Sequence, residues 1–224
     1  KIYMSILISS IHYSPIKSLS FESIESCKIK KNLGILNDRI FAFSRIVNAK
    51  DNELIENNPN KRNLNNFLTL KNSPSLNKYN FTFKGNKLAI TLDGKELISV
   101  RADDIKQKSL LINKLVELES ALIKPISLLK NNMFPFYDTS HSDKVFNSIS
   151  LINLKSIEDL EKKINKKVEF QRFRGNFYIE GVEPWEERNW IGKTININHT
   201  IFKVEKNIPR CVAINLKPGT DEYD

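Results

Sequence analysis

Cysteine, histidine and glycine are scarce in this sequence, and the scarcity removes several classes of functional site. Cys27 and Cys211 are the only cysteines, and two distant thiols without a CxxC pairing are too few for a disulfide scaffold or a structural zinc site. The histidines show neither HExxH nor paired-ligand spacing, which argues against a histidine metal site: His12, His141 and His199. The seven glycines form no GxGxxG, Walker or GxSxG motif.

Long apolar runs are lacking as well. No stretch approaches the ~20 apolar residues that a transmembrane helix needs. The opening KIYMSILISSI is too short, and too often interrupted by polar residues, for a signal peptide. Together with the two unpaired cysteines, this predicts a protein without a membrane span, in the reducing environment of the cytoplasm.

Positive charge is in excess, with a formal net charge of +9. Such an excess suits nucleic acid, an acidic membrane surface or a phosphorylated small molecule. The lysines are spread along the whole chain, which is more typical of a compositional bias than of a binding patch. Because no nucleic-acid-binding motif is present, nucleic acid is not expected as a partner.

Strand signals dominate the first hundred residues. Residues 2–11 and 40–44 are rich in Ile and Phe. The run FTFKGNKLAITLDGKELISV places two turn signals, at 85–86 and 93–94, between segments that favour β structure. This pattern predicts a meander of hairpins.

Apolar residues at helical spacing predict two helices. The first is capped by Asp103 or Asp104, ends before Pro125 and carries an apolar stripe of Leu111, Leu115, Leu118 and Leu122. The second starts near Ser156, which forms a capping-box pattern with Asp159.

The second half of the chain is predicted to contain further strands, at 148–153, 168–173, 176–180, around the turn at 198–199, and at 212–216. Segment 126–147 is predicted to be a connecting loop that separates a domain of residues 1–125 from one of residues 126–224. The expected fold class is mainly β with minor α, a barrel or sandwich rather than a βαβ fold.

Two motifs in the first half place cations where a phosphate could bind. In YSPIKSL, Pro15 fixes a turn that presents Lys17 and Ser18 together; the alternative is an ordinary turn with a solvated lysine. In GILNDRIFAF, the planar fork of Arg39 suits a phosphate or a carboxylate; the alternative is a structural ion pair with Asp38.

The segment RFRGNFYIEG is the third motif. Strand alternation predicts Arg172 and Arg174 on one face, and the amide of Asn176 offers both a donor and an acceptor to a heterocycle. Trp185 and Trp190, in the PWEERNWIG stretch that follows, are more typical of core anchors than of residues that stack on a cofactor.

The segment IPRCVAINLKPGTDEYD is the fourth motif. Arg210 lies beside Cys211, and a cation next to a thiol favours the thiolate, which is a nucleophile and a ligand for soft metals. The alternative is a small buried hydrophobic residue, which is what we expect of Cys27.

Taken in order, YSPIKSL, NDRIF, FRGN and PRCVAINLKPGTDEYD resemble segments of the MOSC family, in the group with an N-terminal β-barrel domain that includes the amidoxime reducing components. The resemblance spans essentially the whole chain and implies an N-terminal β-barrel-like domain followed by a MOSC β-barrel. Gly175 replaces a proline of the family pattern. The chain stops just after the last matching segment, so the C-terminal strands of the MOSC barrel are expected to be missing.

The resemblance also implies a molybdenum cofactor (molybdopterin) and a role for individual residues. Cys211 matches the cysteine that ligates molybdenum and is the implied catalytic residue. Lys17, Ser18 and Arg39 match positions that hold the cofactor phosphate, Arg174 and Asn176 match residues that contact the pterin, and Ser148 falls near another pterin-contacting segment. At family level, pyridoxal phosphate binding is implied as well.

The implied activity is a molybdenum-dependent oxidoreductase that reduces small N-hydroxylated substrates. Electrons would come from a ferredoxin-like or cytochrome-type donor protein, because the sequence has no iron–sulfur cysteine set and no flavin motif. The alternative is a non-catalytic MOSC domain that binds the cofactor or carries sulfur on Cys211.

Overall fold

The computed structural model describes residues 6–137 and 148–224. The first range contains β1 (Leu7–Tyr13), β2 (Glu22–Ile24), β3 (Ile29–Lys30), β4 (Gly34–Ile35), β5 (Phe41–Ser44), α1 (Ala49–Asn57), β6 (Asn80–Lys84), β7 (Lys87–Leu92), β8 (Lys95–Arg101), α2 (Ile105–Leu118) and β9 (Ser127–Lys130). The second contains β10 (Leu151–Asn153), α3 (Leu154–Ile164), β11 (Phe177–Glu180), β12 (Thr194–Ile197) and β13 (Thr200–Lys203). The protein is mainly β, as predicted.

The strands form several small sheets. Consecutive strands β6, β7 and β8 make the predicted meander, and β12 and β13 make the predicted hairpin. A four-stranded sheet has the order β10-β11-β1-β2, and β5 pairs with β9. The strand orders are open within the described residues, so the closed barrels stay a prediction.

Strand pairing joins segments that are distant in sequence. β1 runs antiparallel to β11, and β11 lies parallel to β10, so a strand from the start of the chain sits beside strands that follow residue 150. The proposed division after residue 125 stays a prediction. Strand β9 lies inside the predicted connecting loop 126–147, which is a correction, and residues 138–147, including His141, lie outside the described residues.

The largest hydrophobic cluster packs the meander against α2. Asp104 caps α2 by accepting from the backbone N–H groups of Lys106 and Gln107, and Leu111 and Leu115 are fully buried. The helix ends at Leu118, so Leu122 packs against the cluster from beyond it. In the described part of the chain, no helix combines the length and apolar character needed to cross a membrane.

Three local predictions are wrong. Residues 170–173 and 212–215 form 3₁₀ turns rather than strands. Helix α3 begins at Leu154 with Asn153 as its N-cap, so Ser156 is not a cap. The Ser156 hydroxyl donates to Glu187 at 2.7 Å and accepts from the backbone N–H of Trp185 at 2.8 Å. The Ser156 hydroxyl therefore makes tertiary hydrogen bonds, whereas the local sequence pattern predicted that it would cap the helix.

Candidate functional site

One pocket of about 240 Å³ collects all seven of the candidate residues proposed from the sequence: Lys17, Ser18, Arg39, Ser148, Arg174, Asn176 and Cys211. They come from five separate segments of the sequence. Arg210, Lys206 and Tyr137 also line this pocket. Its lining is strongly cationic.

Lys17 is held inside the protein rather than solvated. The turn after β1 brings its backbone N–H to the carbonyl of Phe41 at 2.8 Å, and its side chain is buried. The ammonium donates to the carbonyl of Phe136 at 3.2 Å and lies 5.7 Å from the ring centre of Phe67. Next to it, the Ser18 hydroxyl accepts from the backbone N–H of Leu70 at 3.3 Å. The alternative of a solvated lysine on an ordinary turn is wrong.

Arg39 forms an ion pair with Asp38, so the structural pairing considered from the sequence is present. The Arg39 side chain is 17% exposed and still lines the pocket. Its guanidinium lies 5.1 Å from the ring centre of Phe21 and 5.2 Å from that of Tyr137. Pairing with a carboxylate and lining the pocket are therefore compatible.

Arg174 lies near the same phenylalanine as Arg39. Its guanidinium lies 4.6 Å from the ring centre of Phe21 and donates to the carbonyl of Leu19. Loss of hydration, with repulsion from the charge of Arg39 as a second cause, lowers the pKa of Arg174 to about 9. Two guanidinium groups this close in one pocket favour the binding of an anion.

Arg172 does not share a face with Arg174, which corrects the strand-based prediction. It lies in the 3₁₀ turn Phe170–Phe173, is buried and donates to Asp224 at 2.6 Å. Arg174 ends that turn in the left-handed backbone region, with φ of 51°, which turns its side chain in another direction. The alternation of a strand does not apply to a 3₁₀ turn.

Gly175 contributes a backbone donor that the family proline could not. Its N–H donates to the hydroxyl of Tyr178 at 3.0 Å, and proline has no N–H. A Cβ built at this position would lie 2.7 Å from the Ile152 side chain. The replacement of proline by glycine therefore fits the local packing.

The side-chain amide of Asn176 forms its hydrogen bonds within the protein. Its Nδ2 donates to the carbonyl of His12 and to Asp38, each at 3.1 Å. Its Oδ1 accepts from the backbone N–H and the hydroxyl of Ser150, at 3.1 and 2.9 Å. Asn176 lines the pocket, but the donor and acceptor expected to contact a heterocycle are used internally. Ser148 is exposed at the pocket and precedes the buried Ser150.

Cys211 is exposed and lies directly before the 3₁₀ turn Val212–Asn215. Of the two interpretations of this thiol, the buried hydrophobic residue is wrong. Cys27 is half-buried against the cluster that contains Phe177 and Ile179, and burial raises its thiol pKa. Within the described residues, no three His, Cys, Asp or Glu side chains group to hold a metal ion.

The sequence interpretation missed Phe21 and Tyr137. Both guanidinium groups lie near the Phe21 ring, and Tyr137 lines the pocket while its hydroxyl donates to Asp38 at 3.3 Å. Burial, aided by the charge of Asp38, raises the pKa of Tyr137, so its hydroxyl stays protonated and can donate. Neither residue belongs to a recognisable motif.

The expected core anchor Trp190 is buried, whereas Trp185 is only half-buried and donates to Asp159.

Comparison with known proteins assigns the C-terminal part of the chain. Residues 138–224 match the family model described as MOSC domain. A segment of 88 residues is 32% identical to mitochondrial amidoxime reducing component 2 of Rattus norvegicus, over 39% of this chain and 25% of that protein. The match thus spans about a quarter of the length of this relative. The family match contains Ser148, Arg174, Asn176 and Cys211, so residues from outside it complete the pocket.

The family match covers the part of the chain that contributes Cys211, and the relative is a distant one. Residues 138–224 are therefore similar to MOSC domains.

Proposed function

We propose that the pocket binds a molybdenum–pterin cofactor and that the protein is a molybdenum-dependent oxidoreductase. The observation that carries this proposal is that Lys17, Ser18 and Arg39 line one pocket with the exposed thiol of Cys211. The MOSC domain and the relative's name support a molybdenum-related function at family level.

The residues present fit the charged end of such a cofactor. Lys17, Ser18 and Arg39 would hold the phosphate, since an ammonium, a hydroxyl and a guanidinium are its usual partners. Arg174 would contact the pterin, and Cys211 would ligate the metal as thiolate. When bound, the cofactor supplies the two-electron, oxygen-abstracting chemistry. The ion pair with Asp38 orients the Arg39 guanidinium before any ligand arrives, and both guanidinium groups lie near the Phe21 ring.

Asn176 does not fit a direct contact with the pterin in this arrangement, because its amide makes four hydrogen bonds within the protein. The volume of about 240 Å³ is also below the ~300–1,000 Å³ of most ligand pockets. The pocket as described suits the phosphate and the adjoining part of the ring.

The substrates proposed are small N-hydroxylated compounds such as amidoximes, in line with the relative's name. With only two cysteines in the sequence, an internal iron–sulfur chain is not available. Electrons would therefore come from a ferredoxin-like or cytochrome-type partner. The exposure of Cys211 supports a second candidate, a carrier that binds the cofactor or holds sulfur without turnover.

Cys211→Ala tests both functions, with Cys27→Ala as the matched thiol control. Each variant is expressed in cells that make the cofactor, and molybdenum and oxidised pterin are measured together with amidoxime reduction from an artificial electron donor. We expect Cys211→Ala to lose most molybdenum and all turnover, while Cys27→Ala keeps both. Full molybdenum and turnover in Cys211→Ala would refute the ligand assignment. Bound cofactor without turnover in the unaltered protein would favour the carrier.

A further inference from the structure

A carboxylate lies directly behind the pocket lining, where an anion site should avoid one. Asp38 is fully buried beside Arg39, and its negative charge opposes the binding of any phosphate nearby. We propose that Asp38 is the positioning residue of this pocket: it does not touch the ligand but fixes the groups that do. The inference rests on the proposed function in that the pocket must bind a phosphate-bearing ligand.

Asp38 accepts hydrogen bonds from donors on separate segments of the chain. The backbone N–H of Ser14 donates to Oδ1 at 2.9 Å. Arg39, the hydroxyl of Tyr137 at 3.3 Å and the amide of Asn176 at 3.1 Å all donate to Oδ2. One carboxylate thereby ties the turn after β1, the segment before β5, the segment after β9 and the start of β11.

Arg39 is the cationic pocket side chain that Asp38 contacts directly. Its ion pair with Asp38 restricts a long side chain that would otherwise lose its rotamer freedom on binding the ligand. Its backbone is fixed as well, because its N–H donates to Ser14 at 2.6 Å and its carbonyl accepts from Phe136 at 2.7 Å. The guanidinium is held in place before the ligand arrives.

Asn176 extends the same network into the MOSC domain. It connects Asp38 to Ser150 and to the carbonyl of His12, and each polar atom of its amide has two partners. Its position in the pocket lining thus reflects a link between segments. This accounts for an asparagine that lines the pocket yet has no hydrogen-bonding capacity left for a ligand.

Positioning and simple charge predict opposite effects, which makes Asp38→Asn a sharp test. Removing a negative charge should by charge alone tighten phosphate binding. If Asp38 positions Arg39, the substitution should weaken binding about tenfold or more, as expected for the loss of a hydrogen bond to a charged group. Binding of inorganic phosphate to the full chain is measured by calorimetry, with Arg39→Gln to localise the site. Asp103→Asn, which removes an exposed carboxylate paired with Arg101, is the matched control.

A second measurement tests, in the absence of ligand, whether Asp38 holds these side chains in place. In the unaltered protein, the side-chain N–H signals of Arg39 and Asn176 should exchange slowly with water in nuclear magnetic resonance spectra, and in Asp38→Asn both should exchange faster. If Asp38→Asn does not fold, Asp38→Glu keeps the charge and displaces the carboxylate, and weaker phosphate binding is again expected.

The outcomes separate the two proposals. Phosphate binding that is unchanged or tighter in Asp38→Asn, or unchanged in Asp38→Glu, would overturn the positioning role and leave the anion site standing. Absence of phosphate binding at Arg39 in the unaltered protein would overturn both.

Discussion

Three cofactor-site candidates adopt a backbone conformation that non-glycine residues rarely use. Ser18, Arg39 and Arg174 have φ values of 63°, 55° and 51°. A non-glycine residue in this region carries a cost of roughly 1–2 kcal/mol, which the surrounding contacts must offset. The directions of these side chains therefore depend on neighbours such as Phe136 and Leu70, which hydrogen-bond to Arg39 and Ser18.

His12 makes the stability of the protein depend on pH. Its ring packs edge-on against Tyr178 and Phe170, with centres 5.2 and 6.0 Å apart, and burial lowers its pKa below 6.5. The unfolded chain thus binds more protons than the folded one, and stability falls as pH drops from about 6.5 towards the folded pKa. We expect His12→Gln to flatten this part of the profile, measured by urea denaturation between pH 7 and pH 5.

The exposed His199 supplies the control for this experiment, as His199→Gln alters a histidine on the turn between β12 and β13. A profile that stays equally steep in His12→Gln would show that other groups cause the loss of stability.

At the scale of elements, local sequence predicted the meander, the β12–β13 hairpin and the cap and buried face of α2. Their turns and apolar periods lie within a few residues, so nearby interactions decide them. Residues 170–173 and 212–215 escaped prediction because alternating apolar residues were taken for strands. Both pack as 3₁₀ turns, joined by Arg172, which donates to the carbonyl of Asn215 at 3.2 Å.

Helix α2 provides a direct measure of core packing. Leu115 is fully buried, and Leu115→Ala should reduce the free energy of unfolding by about 2–5 kcal/mol through lost burial and a residual cavity. Leu110 on the same helix is 56% exposed, and Leu110→Ala should change it by only about 0.5 kcal/mol. Chemical denaturation of both variants makes the comparison. Similar losses would contradict the described orientation of α2.

At the scale of the whole molecule, the segment that carries Cys211 is attached at two places. Arg172 contacts the carbonyl of Asn215 and the carboxylate of Asp224. The amide of Asn77, from the first half of the chain, donates to the carbonyls of Lys217 and Thr220 at 2.8 and 2.7 Å. These contacts hold residues 212–224 against the rest of the described structure.

Releasing these attachments should loosen this segment without unfolding the core. We expect Arg172→Gln and Asn77→Ala each to speed amide hydrogen exchange in residues 212–224, because they remove bonds to its carbonyls. Exchange in the β6–β8 meander should stay unchanged. Arg188→Gln, which alters an exposed arginine stacked on Trp185, is the control. Equal exchange in all three variants would mean that other contacts hold the segment.

The sequence by itself determined the mainly β fold class, the local hairpins, helix α2 and the candidate residues. These features depend on motifs and on periodic patterns that involve residues close together in the sequence. Only the tertiary structure decided that Lys17 is buried, that Arg172 and Arg174 point apart, and that the amide of Asn176 is fully used. These outcomes depend on pairing between β1 and β11 and on the buried carboxylate of Asp38, which bring together residues more than a hundred positions apart. Contacts between residues so far apart in sequence form only when the whole chain packs, so a pattern of neighbouring residues cannot predict them.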